Sequence, residues 1–440
     1  MKETIVASAT PAGRGGVSII RISGRGAKDV GVGLCGNTPK SWSFIPCSIK
    51  NKEGVFVDSG LLAFFEAPRS YTGEDVIEVH CHGNPVIVDS IIEAAVSLGA
   101  RIAEPGEFTK RAFLNDKIDL AQAESVADLI AAKTSSAVVS ANSSLVGDFS
   151  KLVNKAIDSL VDSRVLVEAC LDFSDEDSVA LLENKIPSVR EGVMEVLGTI
   201  ESLLKVSLVG AKMREGLRVV VLGPPNSGKS TLINRLAKED VAIVSQTPGT
   251  TRDLLRVDLD LGGLPVEFVD TAGLHDNSNE EIELEGMRRA ISIIGSANLV
   301  VLMSVVGEDF SPSLADSVKT LRVFNKIDKE DSFVDPGTEE VFISALKGTN
   351  LNGFISSVFS NLEIDGGVEV PVLARQRHLS CLEGSKGFLE SAVSNIDGGG
   401  DLALVAEDLR EASLQLGLIT RPVTSDDLLG HIFSEFCVGK

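Results

Sequence analysis

One octapeptide constrains this chain more than any other feature: Gly223-Pro224-Pro225-Asn226-Ser227-Gly228-Lys229-Ser230. It follows an apolar β-type run, Leu217 to Leu222, and precedes a helical pattern over Ser230 to Ala237. Strand, glycine-bearing turn and helix, in that order, form the setting in which a GxxxxGK[ST] loop cradles phosphates. Backbone N–H groups at the helix start face the phosphate oxygens, Lys229 reaches the β and γ oxygens, and the Ser230 hydroxyl is placed for Mg2+. Taken alone, the segment also admits the reading of a chance glycine turn.

Three later segments follow in the order a guanine-nucleotide hydrolase needs. Gly249-Thr250-Thr251-Arg252-Asp253 supplies a hydroxyl for Mg2+ and the γ-phosphate, for which Thr251 is the choice. Asp270-Thr271-Ala272-Gly273 closes the apolar strand Val266 to Val269, with Asp270 near the metal and the Gly273 N–H near the γ-phosphate. Asn325-Lys326-Ile327-Asp328 ends another strand, and the Asp328 carboxylate can accept both N–H groups of guanine, which adenine cannot match. Ser344-Ala345-Leu346 fits the loop beneath the base. Together these predict an α/β G domain that prefers GTP to ATP. Leu274 stands where Ras-like GTPases carry a water-orienting glutamine, so another polar group must serve. The acids Glu280, Glu281, Glu283 and Glu285 lie a few residues on, either as that group or as a solvated helix start near the positive end of its dipole.

Composition bounds the rest. Among 440 residues, 43% are apolar, enough for real cores and, at about 150 residues per domain, roughly three domains. The balance of 41 Lys and Arg against 63 Asp and Glu gives a net charge of -22, so no general basic surface holds a phosphate backbone, and any RNA contact is local or shared with a partner. No apolar run approaches the roughly 18 residues of a membrane span. The start, Met1-Lys2-Glu3-Thr4-Ile5-Val6-Ala7, has no signal-peptide pattern, which predicts a cytoplasmic protein without membrane partners. Cys35, Cys47, Cys81, Cys170, Cys381 and Cys437 form no CxxC pair, and most read as buried small hydrophobes.

Along the chain, the first 120 or so residues mix short strands (Thr4 to Ala7, Val17 to Ile22, Leu61 to Phe65, Val76 to His82) with a helix over Pro85 to Leu98, an α+β pattern. Helical spacing dominates from Leu120 to Val209, alternating strands and helices from about 215 to 365, and helix again after Pro371. The tail is short for a core of its own and is expected to pack on the earlier helices, leaving the G domain as an insertion. The expected architecture is therefore multidomain, α+β and α/β, around an all-α domain. On the strand Val76 to His82, Glu78, His80 and His82 share one face, either as metal ligands or as the wall of a polar pocket. Arg375, Arg377 and His378 form a local basic cluster, either an RNA contact or a solvated helix face.

Motifs outside the nucleotide segments run the length of the chain: Thr4-Ile5-Val6-Ala7, Gly13-Arg14-Gly15-Gly16-Val17, Tyr71-Thr72-Gly73-Glu74-Asp75, Pro105-Gly106-Glu107-Phe108, Arg111-Ala112-Phe113-Leu114-Asn115-Asp116-Lys117, Asp427-Leu428-Leu429-Gly430 and Phe436-Cys437-Val438-Gly439-Lys440. With them the chain resembles the tRNA uridine-5-carboxymethylaminomethyl modification GTPases of the MnmE (TrmE) family. The resemblance implies a folate-binding and dimerising N-terminal domain (1–118), a helical domain in two parts (119–214 and 366–440) and an inserted Ras-like P-loop G domain (215–365). It implies a homodimer and a heterotetramer with an FAD protein of the MnmG (GidA) type, acting on tRNA. The cofactors implied are GTP, Mg2+, K+ and 5-formyl- or 5,10-methylene-tetrahydrofolate. Its nucleotide contacts map to Asn226, Ser227, Gly228, Lys229, Ser230 and Thr231, to Ser245, Gln246, Thr247, Pro248, Gly249, Thr250 and Thr251, to Asp270, Thr271, Ala272 and Gly273, and to Asn325, Lys326, Asp328, Ser344 and Ala345. Ser230 and Thr251 hold Mg2+ in this scheme, Asn226, Ser245, Thr247 and Thr250 surround K+, and Glu283, Lys229 and Asp270 are the catalytic set. Arg21, Glu78, Lys117 and Lys440 match the folate contacts, and Cys437 takes a supporting place near them. The competing function is a GTP-switched ribosome or RNA assembly factor without group transfer.

Overall fold

Alternation of apolar and polar residues builds the N-terminal sheet, and near-continuous apolar runs build the second. The computed structural model describes residues 3–37, 39–172, 185–238, 256–270, 294–329, 340–364, 374–421, 429, 432–434, 436 and 439. They divide into two compact units, one of Met1–Ala127, Leu145–Asp158 and Ser413–Lys440, the other of Asp128–Ser144 and Ser159–Ala412.

The first unit opens with β1 (Ile5–Ser8), β2 (Gly15–Ser23), helix α1 (Ala27–Cys35), β3 (Ser43–Lys50), β4 (Phe56–Phe65), β5 (Val76–Gly83), α2 (Pro85–Ser97), β6 (Arg101–Ile102) and α3 (Glu107–Leu114). Asn84 caps α2 by accepting the Val86 N–H at 3.0 Å, and Pro85 occupies the first turn, where a missing N–H costs nothing. The sheet order is β3-β4-β5-β2-β1-β6, antiparallel except for β1 with β6. One face, with Ile20, Ile22, Leu62, Ile77 and Val79, is sealed by Val30 and Leu34 of α1 and Ile91, Ala94 and Ala95 of α2. On the other, Phe108 of α3 covers Ile5 and Ala7, while Phe44 and Leu61 toward the β3 edge are exposed.

Among the described residues there follow α4 (Leu120–Ala131), α5 (Ser135–Val146), α6 (Asp148–Asp172) and α7 (Ile186–Glu215). Gly216, at φ +74°, ends α7 and feeds the second sheet through β7 (Leu217–Leu222). Then come α8 (Lys229–Leu236), β8 (Arg256–Leu261), β9 (Leu264–Asp270), β10 (Leu299–Val305), β11 (Thr320–Asn325), β12 (Val341–Phe342) and α9 (Leu351–Asn361). The order is β12-β11-β10-β7-β9-β8, parallel except for the β8–β9 hairpin at Gly262-Gly263. Central β7 and β10 are buried on both faces, as a doubly covered parallel sheet requires. Leu232 and Ile233 of α8 and Phe354 and Val358 of α9 pack on one face; Ile294, Phe310, Leu314 and Val318 meet Val220, Val269, Val300 and Leu302 on the other.

Next come α10 (Gln376–Asp397) and α11 (Leu402–Thr420). Helix α10 lies along α7, both burying apolar residues: Leu382 and Leu389 on one, Val193, Val196 and Ile200 on the other. The pairs Lys386–Glu201 (2.9 Å) and Arg190–Asp397 flank the contact at the surface, where such pairs add little. Among the described residues no helix is long and apolar enough to cross a membrane.

Candidate functional site

The parallel strands of the second sheet bring their C-terminal ends to one edge, where open α/β sheets take their ligands. There β7 leads into Gly223, β9 ends at Asp270, β11 ends at Asn325, and Ser344 follows β12. A Cβ on Gly223 would stand 2.1 Å from Met303 O. One on Gly228, whose φ is +102°, would stand 2.1 Å from Asn325 Nδ2. Only glycine lets the loop lie this close to β10 and β11.

Lys229 is buried, and its Nζ donates to the carbonyls of Gly223 (2.8 Å) and Pro224 (3.0 Å). Burial lowers its pKa, against the upward pull of the Asp270 carboxylate. Ser230 Oγ donates to Oδ2 of the buried Asp270, so a hydroxyl and a carboxylate meet at one point. These are hard oxygen donors of the kind Mg2+ takes. Ser227 Oγ is buried without a hydrogen-bond partner, a polar atom left over for a ligand.

The segments after β11 and β12 brace this loop. Buried Asn325 donates from Nδ2 to Ser227 O (2.8 Å) and accepts on Oδ1 from Ala345 N (2.9 Å). Lys326, at φ +68°, sends Nζ to Asn226 O at 2.5 Å. Asp328 Oδ1 accepts from Ser344 Oγ at 2.5 Å, and that hydroxyl in turn accepts from Lys347 N at 3.1 Å. The Ser344 bond holds the Asp328 carboxyl below its usual range. The result is a fixed, ionised acceptor at the site edge.

In the other unit Arg21 and Glu78 face each other across β2 and β5. Arg21 Nε and Nη2 reach Glu78 Oε1 at 3.0 and 2.9 Å. The guanidinium lies 5.2 Å from the centre of the Tyr71 ring and 5.8 Å from that of Phe108, a cation–π arrangement on each. Tyr71 is anchored by a 2.7 Å hydrogen bond between its hydroxyl and Thr109 Oγ1. His80 Nε2 is 3.4 Å from Glu78 Oε2, yet buried without a hydrogen bond, and its ring meets Phe44 edge-on at 5.4 Å. His82 turns to Asp58, Nδ1 to Oδ1 at 2.8 Å. Glu78, His80 and His82 thus share a strand face without converging, and no metal-ligating group of three is gathered among the described residues.

The family comparisons bear on both units. Residues 4–117 match the family model described as the GTP-binding protein TrmE N-terminus, and residues 120–437 match the one described as the MnmE helical domain. The chain is 41% identical over 453 residues to the tRNA modification GTPase MnmE of Nitrosomonas europaea, covering 100% of this chain and 99% of that protein. This chain belongs to the MnmE family of tRNA modification GTPases. The MnmE of Legionella pneumophila subsp. pneumophila is likewise 41% identical, over 450 residues covering 100% of this chain and 99% of that one. Among solved structures, the G domain of the T. maritima FeoB iron transporter covers 33% of this chain and 98% of its own at 21% identity, with a TM-score of 0.25, too loose a likeness to carry an argument.

In this MnmE-family chain the residues expected from the sequence to contact nucleotide, Asn226, Ser227, Gly228, Lys229, Ser230, Asp270, Asn325, Lys326, Asp328, Ser344 and Ala345, gather at the strand ends, and Thr231 is exposed on α8. Ser245, Gln246, Thr247, Pro248, Gly249, Thr250, Thr251, Thr271, Ala272, Gly273, Glu283, Cys437 and Lys440 lie outside the described residues. Arg21 and Glu78 are joined; Lys117, exposed after α3, gives its ammonium to Pro68 O at 2.9 Å instead. The reading of Arg375 and His378 as an RNA contact or a solvated face is corrected: both are buried, and Arg375 pairs with Asp128 at 3.0 Å. A basic cluster in sequence is here an interior charge brought against a carboxylate. The reading of most cysteines as buried is also corrected, since among the described residues Cys81 and Cys381 are buried and Cys35, Cys47 and Cys170 are partly exposed. Sequence reasoning missed the ring support of Arg21: Tyr71 lies in a quoted motif, but nothing in spacing pairs it with a strand arginine.

Proposed function

We propose that this chain is a K+-stimulated GTPase that acts with an MnmG-type flavoprotein to add a (carboxymethyl)aminomethyl group to C5 of the wobble uridine of certain tRNAs. The observation that carries the GTPase reading is the brace at the strand ends, with Asn325 tying Ser227 to Ala345, Ser230 against Asp270, and Asp328 fixed by Ser344. In this reading Asp328 accepts the two N–H groups of guanine, and Lys229 leaves the Gly223 and Pro224 carbonyls for the phosphates. Ser230 and Asp270 fit Mg2+, with Thr251 as the further hydroxyl, and the ion would neutralise charge on the phosphate oxygens. Asn226, Ser245, Thr247 and Thr250 are the proposed K+ shell, and Glu283 orients the attacking water.

Arg21 and Glu78, with the unpartnered His80 Nε2 beside them, fit a reduced folate: a carboxylate suits the amino-pyrimidine edge of a pterin as it suits guanine. The folate would supply the one-carbon unit that becomes the C5 methylene. Lys117 and Lys440 are the remaining proposed folate contacts. The domain limits 1–118, 119–214, 215–365 and 366–440, the homodimer and the heterotetramer with the flavoprotein complete the proposal. The test is reconstitution with the flavoprotein, GTP and isotopically labelled methylene-tetrahydrofolate, followed by mass spectrometry of the tRNA nucleosides. Label in the wobble C5 substituent, abolished by Asp270→Ala, is expected. Unlabelled product, or full yield with Asp270→Ala, contradicts the reading.

A further inference from the structure

We infer that Arg235 is a positioning residue for base selectivity: it holds the turn that carries Ser344, and through Ser344 it sets how firmly the site prefers guanine. The inference rests on the reading of Asp328 as the acceptor of the base. Arg235 lies in the last turn of α8, the helix that opens with Lys229 and Ser230, so one helix serves the phosphate end at its start and the base end at its finish.

Its partner is the turn from Ser344 to Thr349, which closes on itself. Gly348 N and Thr349 N donate to Ser344 O at 2.8 and 3.1 Å, and Ser344 N donates to Thr349 O at 3.2 Å. Behind the turn, Asn350 Nδ2 donates to Phe342 O at 2.9 Å and ties it to β12. Arg235 meets it from α8. Its Nη2 donates to Lys347 O at 3.4 Å, and its guanidinium packs on Gly348, where a Cβ would stand 2.6 Å from Nη2, 3.2 Å from Cζ and 3.3 Å from Nε. Gly348 also has φ +78°, so its backbone and its neighbour both exclude a side chain. Lys347 is thus held at both ends of its backbone: its carbonyl takes the Arg235 bond, and its N–H donates to Ser344 Oγ at 3.1 Å. That hydroxyl in turn donates to Asp328 Oδ1 at 2.5 Å. The run from Arg235 through Lys347 and Ser344 to Asp328 fixes the rotation of the carboxylate, on which acceptance of two N–H groups depends. The Arg235 bond is long and exposed, so its loss is read in selectivity rather than in folding.

The experiment measures KM and kcat of the full chain with GTP and with inosine triphosphate, whose base keeps the ring N–H but lacks the amino group. Arg235→Ala is expected to raise KM for GTP roughly 3- to 10-fold, the worth of one net hydrogen bond, to raise KM for inosine triphosphate less, and to leave both kcat values and the circular dichroism spectrum unchanged. Arg235→Lys, which keeps a donor for the Lys347 carbonyl, is expected to restore part of the GTP preference. KM values that rise by one common factor, or a kcat that falls with the preference kept, mark a merely structural arginine and overturn the inference. A parent preference lost in Asp328→Asn but retained in Arg235→Ala overturns the inference alone. Equal KM values for the two nucleotides in the parent remove Asp328 from the amino group, and the inference falls with that reading.

Discussion

In the proposed function Asp328 reads the base through a carboxylate that Ser344 holds, which would make base selectivity a property of one side chain. Asp328→Asn replaces an acceptor of two N–H groups by one acceptor and one donor. GTP affinity is expected to fall on the order of 100-fold, about 3 kcal/mol, while xanthosine triphosphate, which offers an acceptor in place of the amino group, gains. Competition binding checks this, and unchanged GTP preference removes Asp328 from the base. Asn325 works differently, since both its contacts are to protein backbone. Asn325→Ala strands the Ser227 carbonyl and the Ala345 N–H in a buried place, at a cost of about 2–4 kcal/mol in stability. A denaturant midpoint equal to the parent's would show that it is no brace.

At the scale of elements, the turn from β6 into α3 depends on Glu107. Arg101 Nη1 donates to its Oε2 at 2.8 Å, and buried Arg111 Nη2 to its Oε1 at 2.9 Å. Burial pushes its carboxyl up, but the Arg101 bonds, the Glu104 N–H and Arg111 outweigh it and bring it to about 2. A depressed carboxylate pKa contributes stability that is fully present above the unfolded value, about 4.3, and is lost as pH falls towards the folded one. The N-terminal unit is therefore expected to lose on the order of 3 kcal/mol between about pH 5 and pH 2, followed by circular dichroism. Glu107→Gln should lower stability at pH 7 and flatten that slope; an unaltered slope contradicts the assignment.

Legibility divided along the same lines. Strands β7, β9 and β10 were plain because a buried parallel strand reads as an unbroken apolar run, and the glycine loop because a required φ and a backbone approach leave no choice of residue. Strand β3 was not read, since Pro46 interrupts its pattern, yet proline is tolerated on an edge strand. Helix α3 was missed because its buried face includes Glu107 and Arg111, which pair with each other, and Thr109, which bonds the Tyr71 hydroxyl.

At the scale of the whole molecule, the proposed function puts a guanine-nucleotide site in one unit of an MnmE-family chain and a folate site at Arg21 and Glu78 in the other. Glu283→Ala is expected to lower GTP turnover by one to two orders of magnitude, about 10²-fold at most for a water-orienting group, while leaving GTP affinity intact; equal turnover sinks that role. The central claim is that monovalent-cation charge stands in for an arginine finger at the γ-phosphate. Steady-state GTP hydrolysis by the full chain in KCl against NaCl at equal ionic strength measures this directly. The account predicts much faster turnover in KCl, lost in Asn226→Ala. Equal rates in the two salts would contradict it and leave a GTPase whose transition-state charge is met by the protein alone.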